Sequence, residues 1–304
     1  MKSRPVQHWL LLFALVSIWG SSFALTKIAV AVFDPEVLVA WRLMIGSCIL
    51  VAPVLMLRRA LPRSRRLWSS YLIMAAVGGC LPFWLISWGQ RSIDSGLAGI
   101  LMATMPPATM ILAHFFVVGE RLNSAKVIGF LIAFIGIVIL MGPDVLLEVS
   151  GVGTELIAQL AVAGGAMCYA VAAILARVGP KSDSISRSFG VTLIGAAIMM
   201  PLAQIRGIPW DVEIDMVAAC ALAMLGVLST GLATVIYFRL ISEAGPTFLS
   251  LINYLIPIWA VALGAIAFGE NPSWHALVGL VIVLCGIAIS ESSSKVSAYR
   301  TSHE

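Results

Sequence analysis

The sequence predicts an all-helical integral membrane protein of ten transmembrane helices, arranged as two inverted repeats of five helices each. The first observation is composition: of 304 residues, 60% are hydrophobic and 11% are charged, which is too little polar surface to coat a water-soluble particle. The second is a series of long apolar stretches. The third is an internal duplication, in which the segment beginning at Thr104 recurs 150 positions later.

The apolar stretches have the length of membrane-spanning helices, since about 17–25 residues cross about 30 Å of hydrocarbon. They lack the ten-residue alternation of a barrel strand, and in a bilayer each helix satisfies its own backbone groups. The first stretch follows Lys2 and Arg4 but is longer than a signal-peptide core, so we expect a retained helix. The predicted spans are residues 9–32, 36–57, 69–90, 95–118, 124–142, 154–176, 186–205, 216–240, 244–268 and 273–290.

The duplication predicts the domain organisation. We expect a first repeat at residues 1–148, a second at 149–291 and a cytoplasmic tail at 292–304. Because five spans is an odd number, the second copy enters the membrane from the opposite side, and a cavity between the copies can open to either side in turn. The shift of 150 positions aligns Pro107 with Pro257, Gly119-Glu120 with Gly269-Glu270, Gly129 with Gly279, and Gly136 with Gly286.

The basic residues predict the orientation of the chain. If both termini are cytoplasmic, 15 of the 19 Lys and Arg residues lie inside, while the outside segments keep Arg91 and Arg206. This placement accounts for the net charge of +4, so no nucleic-acid partner is expected. The inside residues are Lys2, Arg4, Arg58, Arg59, Arg63, Arg65, Arg66, Arg121, Lys126, Arg177, Lys181, Arg187, Arg239, Lys295 and Arg300.

Several motifs together carry a family resemblance. They are Trp19-Gly20-Ser21-Ser22-Phe23 with Lys27 in the first span, Arg42 in the second, and the segments Pro107–Glu120 and Pro257–Glu270. With them, the whole chain resembles a ten-helix transporter of the EamA type, in the drug/metabolite transporter superfamily. The resemblance implies a carrier in a bacterial-type inner membrane, commonly exporting amino acids or related metabolites. It also implies a central cavity built from spans 1, 3, 4, 6, 8 and 9, with spans 5 and 10 as a packing pair or a homodimer interface.

Two helix faces in the first repeat combine aromatic rings with hydroxyl groups. Aromatic walls can shield the apolar body of a substrate, while hydroxyls replace water on its polar groups. The alternatives are core packing or lipid contact for Trp19, an interfacial aromatic belt for Trp84 and Trp88, and serine bonds to the helix backbone. At helical spacing, the faces comprise Trp19, Ser22, Phe23 and Thr26 on span 1, and Trp84, Ser87, Trp88 and Arg91 on span 3.

The second repeat supplies further candidate substrate-binding residues. Tyr169 aligns with Trp19 in the repeat register, and Thr230, Thr234 and Tyr237 share one face of span 8. The amide of Asn253 is costly in hydrocarbon unless it faces a partner helix or a wet cavity. Hydrogen bonding between helices is the alternative for Tyr169 and Asn253.

Lys27 and Arg42 are basic residues inside predicted spans. A membrane-buried base is a functional hypothesis by default, and its natural role is to attract a carboxylate or phosphate. Lys27 could instead extend to the membrane surface or pair with Asp34 or Glu36. Arg42 could instead anchor a helix contact through backbone carbonyls.

Prolines and glutamates recur at matching positions of spans 4 and 9. Pro106, Pro107 and Pro257 remove backbone hydrogen bonds, so we predict gating bends near the cavity, with a purely structural kink as the alternative. For Glu120 and Glu270 we expect solvation at helix ends or an ion pair with a nearby basic residue.

The chain lacks the residues that other membrane functions require. Paired aspartates, a HExxH-like zinc motif and a phosphate-binding loop are absent from the sequence, so we expect neither an intramembrane enzyme nor ATP-driven transport, and no cofactor. No Asp or Glu lies in the middle of a span, which favours zwitterionic or anionic metabolites over lipophilic cationic drugs. Multidrug efflux is the alternative. We expect the five cysteines to be packing residues and His114 to be a helix-interface residue rather than metal ligands.

Overall fold

The computed structural model describes residues 5–59, 64–117, 124–141, 153–205, 215–244, 246–249 and 251–301. The regular secondary structure of these residues is helical, with no strand among them, as the sequence predicts. Helical segments that follow one another without a break receive one label here. The helices are α1 (Val6–Val30), α2 (Pro35–Met56), α3 (Arg65–Gly89), α4 (Ser95–Phe116), α5 (Ser124–Met141), α6 (Thr154–Val178), α7 (Ser184–Ile205), α8 (216–243), α9 (Ile252–Phe268) and α10 (Trp274–Thr301).

Seven helices are long and apolar enough to cross a membrane: α1 to α4 and α6 to α8. Shorter apolar helical stretches lie at Val127–Gly136, Leu255–Phe268 and Trp274–Ile289. Every predicted span overlaps one of the helices, and the chain is a multi-pass membrane protein. That all ten predicted spans cross the bilayer, and that the repeats divide at residue 148, stay predictions.

Two element boundaries differ from the predicted ones. The span predicted at 244–268 is interrupted, because a single helical turn at Pro246–Leu249 precedes α9. The tail predicted from residue 292 continues α10 as far as Thr301. No Pro or Gly follows Gly286 to stop the helix, so it propagates past the apolar stretch.

Helices that occupy the same place in the two sequence repeats pack against each other: α2 on α7, α4 on α9, and α5 on α10. The remaining main contacts come in matched pairs. Helix α1 packs on α8 and α9, and its counterpart α6 packs on α3 and α4, the counterparts of α8 and α9. In the same way α2 packs on α8, and its counterpart α7 packs on α3. The packing therefore repeats the internal symmetry of the sequence.

Glycines allow α5 and α10 to approach closely, and they also show the direction of the pair. A Cβ atom added to Gly136 would lie 2.8 Å from Val283 N, and one added to Gly286 would lie 2.5 Å from Gly129 O. Position 136 thus faces 283 while position 129 faces 286, so the two helices run antiparallel. Small residues at such a crossing let backbones meet, as expected for membrane helices.

Helices α4 and α9 also run antiparallel. Gly99 packs on Ala260, whereas Gly96, nearer the start of α4, packs on Val261 and on Glu270 beyond the end of α9. Both helices have an irregular segment: α4 has a 3₁₀ turn at Met102–Thr104, and α9 begins directly after a turn residue, Leu251.

Helices α3 and α8 contain π-helical segments at nearly equivalent positions, Ala76–Cys80 and Leu225–Leu232. A π segment rotates the following side chains and leaves backbone carbonyls available to other donors, and such segments are frequent at functional sites. Both segments face the interior, where α2 crosses α8 and α6 crosses α3.

Candidate functional site

Arg42 lies at the centre of the candidate site, where α2 crosses α8. Gly46 and Gly226 let these helices meet, because a Cβ atom on Gly46 would lie 2.5 Å from Thr230 and one on Gly226 would lie 2.5 Å from Ile45. This approach allows Arg42 Nε to donate a hydrogen bond to Thr230 Oγ1 at 3.1 Å. The side chain of Arg42 is only 8% exposed.

An aromatic ring lies against the guanidinium of Arg42. Its central carbon lies 3.8 Å from the ring centroid of Phe83, in cation–π contact. The ring of Tyr169 lies 6.2 Å from that of Phe83 in an edge-to-face arrangement, so Phe83 contacts both Arg42 and Tyr169. The structure thus brings together the predicted residues Arg42 and Tyr169, and it adds Phe83.

Trp19 forms a second part of the site with α8. Its Nε1 donates a hydrogen bond to Ser229 O at 3.1 Å, within the π segment, and its ring lies 5.6 Å from that of Tyr237. Trp19 and Tyr237 are both half-buried. The predicted residues Trp19 and Tyr237 therefore meet across the boundary between the two repeats.

The hydroxyl groups of α1 bond to their own helix. Ser22 Oγ donates to Trp19 O at 2.6 Å, and Thr26 Oγ1 donates to Ser22 O at 2.7 Å. Bonding of the serines to their own helix backbone is the alternative that the sequence left open. Ser22 is only half-buried. Phe23 is buried in an apolar cluster with Ile86 and Ala98, so it packs in the core beside the site.

The residues of the predicted face on α3 lie partly beside the site and partly at helix ends. Trp84 Nε1 donates to Glu36 Oε1 at 3.1 Å, which fixes the indole at the start of α2. Ser87 is buried, and Trp88 packs against the apolar cluster that contains Phe23. Arg91, which ends this face, pairs with Asp34.

Lys27 has a partner that differs from those weighed from the sequence. Its Nζ donates to the backbone carbonyl of Ile93 at 2.8 Å, between α3 and α4. Asp34 is engaged by Arg91 instead. Arg42 bonds to Thr230, so the half-buried Lys27 and the buried Arg42 have separate partners and do not form one cluster.

Two buried glutamines were not found from the sequence. Gln90 is fully buried and donates from Nε2 to Phe23 O at 2.8 Å, while Gln159 is 3% exposed and donates to Glu155 Oε1 at 3.3 Å. In both residues Oε1 has no partner among the described residues. The only sequence signal was an amide inside an apolar span, the same signal that singled out Asn253.

Glu270 caps the first turn of α4. Its carboxylate accepts from Ser95 N at 2.9 Å, Ser95 Oγ at 2.7 Å and Gly96 N at 2.9 Å. The expectation of a solvated helix end or an ion pair was therefore wrong for Glu270, because three donors of the other repeat bind it. Glu120 lies outside the described residues.

The predicted gating prolines lie in different backbone settings. Pro106 and Pro107 lie in the first turn of the α-helical segment that follows the 3₁₀ turn of α4. Pro257 lies inside α9, five residues after the helix begins. Their role in gating stays a prediction. In the described part of the chain, no group of His, Cys, Asp and Glu is arranged to hold a metal ion.

Asn253 provides a prediction that separates binding from folding. It is half-buried near the start of α9, and its amide forms no hydrogen bond with a described residue. We expect Asn253→Ala to change the free energy of unfolding by less than about 0.5 kcal/mol. Transport should fall about three- to tenfold if the amide bonds to substrate. The measurements are thermal unfolding in detergent and proteoliposome uptake, with exposed Ser69→Ala as control.

Unchanged transport in Asn253→Ala would remove the amide from the site. A loss of stability well above that of Ser69→Ala would instead assign it a structural role.

Comparison with known proteins is consistent with this architecture. The model of the EamA-like transporter family matches the chain twice, over residues 8–142 and 156–291, so the chain carries two family repeats. The uncharacterized transporter YoaV of Bacillus subtilis is 24% identical over 89% of this chain and 91% of its own length. Protein PagO of Salmonella typhimurium is 26% identical over 92% of this chain and 91% of its own.

A plant relative and a solved structure extend the comparison. The WAT1-related protein At3g02690, chloroplastic, of Arabidopsis thaliana is 23% identical over 92% of this chain and 68% of its own length. A crystal structure with 22% sequence identity has the same fold, with a TM-score of 0.64 over 94% of this chain and 97% of that one. Because the family model covers both halves of the sequence, the chain belongs to the EamA-like transporter family.

Proposed function

We propose that the protein is a secondary transporter that works by alternating access and exports amino acids or related small metabolites from the cytoplasm. We place it in a bacterial-type inner membrane with both termini in the cytoplasm. The observation that carries the proposal is a polar and aromatic site assembled from both repeats: Arg42 and Phe83 come from the first, and Tyr169 and Thr230 from the second. A site between repeats is accessible from either side when the repeats rock against each other.

The helix directions support the inverted arrangement. If two repeats had the same orientation in the membrane, their equivalent helices would run parallel. The pair α5 and α10 and the pair α4 and α9 run antiparallel instead, as judged from the residues that face each other. This is the relation expected of an inverted duplication, in which two nearly equivalent packings can exchange.

The chemistry of the interior supports metabolites over lipophilic cations. Among the described residues, the buried polar and charged side chains include Arg42 but no Asp or Glu. A carrier of lipophilic cations usually needs a buried carboxylate, so multidrug efflux is the less supported alternative. We also propose that α5 and α10 can form a homodimer interface, because residues such as Ile128, Phe134 and Val281 expose apolar side chains there.

Transport by the purified protein tests the proposal. Proteoliposomes should accumulate radiolabelled metabolites from a mixture of amino acids and small organic acids faster than empty liposomes, and a preloaded substrate should accelerate uptake by exchange. Protein that moves only lipophilic cations would replace the metabolite assignment by multidrug efflux. Protein that moves nothing in either test would contradict the transporter proposal. The direction of export is tested by the growth of overexpressing cells in toxic concentrations of amino-acid analogues.

A further inference from the structure

We propose that the substrate is an apolar monocarboxylate whose acid group binds Arg42, and that an amino group on the substrate is not required. This inference rests on the transporter function proposed above and specifies its substrate class. The geometry of Arg42 carries it, together with the absence of buried acidic side chains among the described residues.

Arg42 has donors to spare inside the bundle. Its Nε is bonded to Thr230, but no described residue accepts a hydrogen bond from either terminal nitrogen. Neither of these nitrogens belongs to the fully buried unpaired atoms, so both retain some accessible surface although the residue is only 8% exposed. A guanidinium held in this way presents a planar pair of N–H groups, which matches the two oxygens of a carboxylate.

The orientation of the guanidinium is fixed before substrate arrives. Phe83 supports one face of it at 3.8 Å, and Thr230 holds Nε. Thr230 is held in turn, because its own hydroxyl donates to Leu225 O at 3.1 Å inside the π segment of α8. Preorganisation reduces the entropy that binding would otherwise cost.

Charge balance favours an acid over a zwitterion. A buried arginine without an acid partner is costly, and a bound carboxylate neutralises it. The buried polar groups of the described residues are hydroxyls and amides, apart from Arg42, so none of them neutralises a substrate ammonium group. An amino acid would therefore add an uncompensated positive charge where a simple acid adds none.

The neighbouring surface suits an apolar substrate body. The rings of Phe83 and Tyr169 meet edge to face beside the guanidinium. Apolar walls with one charged anchor are a common design of small-molecule sites. The substrates expected here are aromatic or branched aliphatic acids.

The test uses three probes with the same side chain: 3-phenylpropionate, L-phenylalanine and L-phenylalaninamide. Binding to purified protein is measured by thermal stabilisation and by competition, and transport by proteoliposome uptake. We expect 3-phenylpropionate to bind at least as tightly as phenylalanine, and phenylalaninamide to bind about tenfold or more weakly, since it lacks the charged acceptor. The corresponding leucine series, beginning with 4-methylpentanoate, should show the same order.

Variants of Arg42 assign the effect to this residue. Arg42→Gln should weaken 3-phenylpropionate binding about tenfold or more. Arg42→Lys keeps the charge but loses the planar donor pair, so it should bind more tightly than Arg42→Gln and more weakly than the parent. If Arg42→Gln does not fold, Arg42→Lys and Thr230→Val provide the comparison. The matched control is Arg66→Gln, which removes a positive charge from the exposed start of α3 and should leave affinity unchanged.

The inference is overturned if phenylalaninamide binds as tightly as 3-phenylpropionate, or if neither 3-phenylpropionate nor 4-methylpentanoate binds. It is also overturned if folded Arg42 variants bind 3-phenylpropionate as tightly as the parent protein does. Transport of amino acids or amines without transport of the acids would remove the inference and leave the transporter proposal standing. Failure to transport any metabolite would contradict the transporter proposal itself.

Discussion

Replacing Gly286 by alanine is expected to destabilise the protein by about 1–3 kcal/mol, the usual cost of overpacking. The added methyl group would lie 2.5 Å from Gly129 O and 2.6 Å from Ala133 N. Both are backbone atoms, so no side chain can rotate away, and α5 and α10 must separate. Gly136→Ala should act similarly, because its methyl group would lie 2.8 Å from Val283 N.

The combination of these two substitutions tests whether they act on one interface. Once the helices have separated to admit the first methyl group, the second costs less, so the double variant should lose less stability than the sum of the single ones. The loss of stability is measured by thermal unfolding in detergent, with the fraction of protein that stays monodisperse as the readout. Strict additivity would contradict the shared interface.

Gly164→Ala is the matched control. It is also a glycine inside a helix, but its added methyl group would meet only Leu85 Cδ1, at an ordinary 3.6 Å. Because alanine favours the helix over glycine by roughly 0.5–1 kcal/mol, this variant should be neutral or stabilised. A Gly286→Ala variant as stable as Gly164→Ala would show that α5 and α10 do not pack as closely as described.

Replacing Glu270 by alanine is expected to destabilise the protein by about 2 kcal/mol. The substitution removes three hydrogen bonds between the end of α9 and the start of α4 and leaves two backbone N–H groups without this acceptor. Gly264 and Gly96 leave room for the carboxylate, because a Cβ atom added to either residue would lie 2.1 Å or 3.2 Å, respectively, from Glu270 Oε2. Transport should change as well, since this contact joins the two repeats.

A double-mutant cycle with Ser95→Ala isolates the contact. The single Ser95 variant removes one donor of three, so its cost should be smaller, and we expect a coupling energy of about 0.5–1.5 kcal/mol with Glu270→Ala. Glu243→Ala is the control carboxylate, because its pairs with Arg239 of the same helix and with His8 of α1 lie at a side chain that is 39% exposed, so its loss should cost less. Equal losses for Glu270→Ala and Glu243→Ala, or a coupling energy of zero, would contradict the described cap.

Hydropathy and the repeat register were sufficient to predict which stretches of the described chain are helical. The reason is that each membrane span must satisfy its own backbone hydrogen bonds within one stretch of chain. The prediction of the family was confirmed, and it too could be made from the sequence because the family motifs lie within short stretches of chain. The π segment of α8 and the turn before α9 were not predicted, since backbone irregularities depend on the helices packed around them.

Tertiary partners limited the prediction of the site. Periodicity indicates which face of α1 Trp19 occupies, but not that Ser229 lies opposite, 210 positions away in the chain. Phe83 carries no polar group, so only its i, i+4 relation to Ser87 could have drawn attention to it. Glu270 was misassigned because its donors lie 174 and 175 positions earlier.

The cap at Glu270 has a consequence for the balance between the two ends of the bundle. In the repeat register, the counterparts of Ser95 and Gly96 are Gly245 and Pro246, a pair without a hydroxyl and with one amide N–H in place of two. A glutamate at the opposite end therefore cannot gain the same three bonds from that pair. The two repeats therefore differ in this contact, and if they exchange packings as proposed above, the two end states of the transporter are not equivalent in energy.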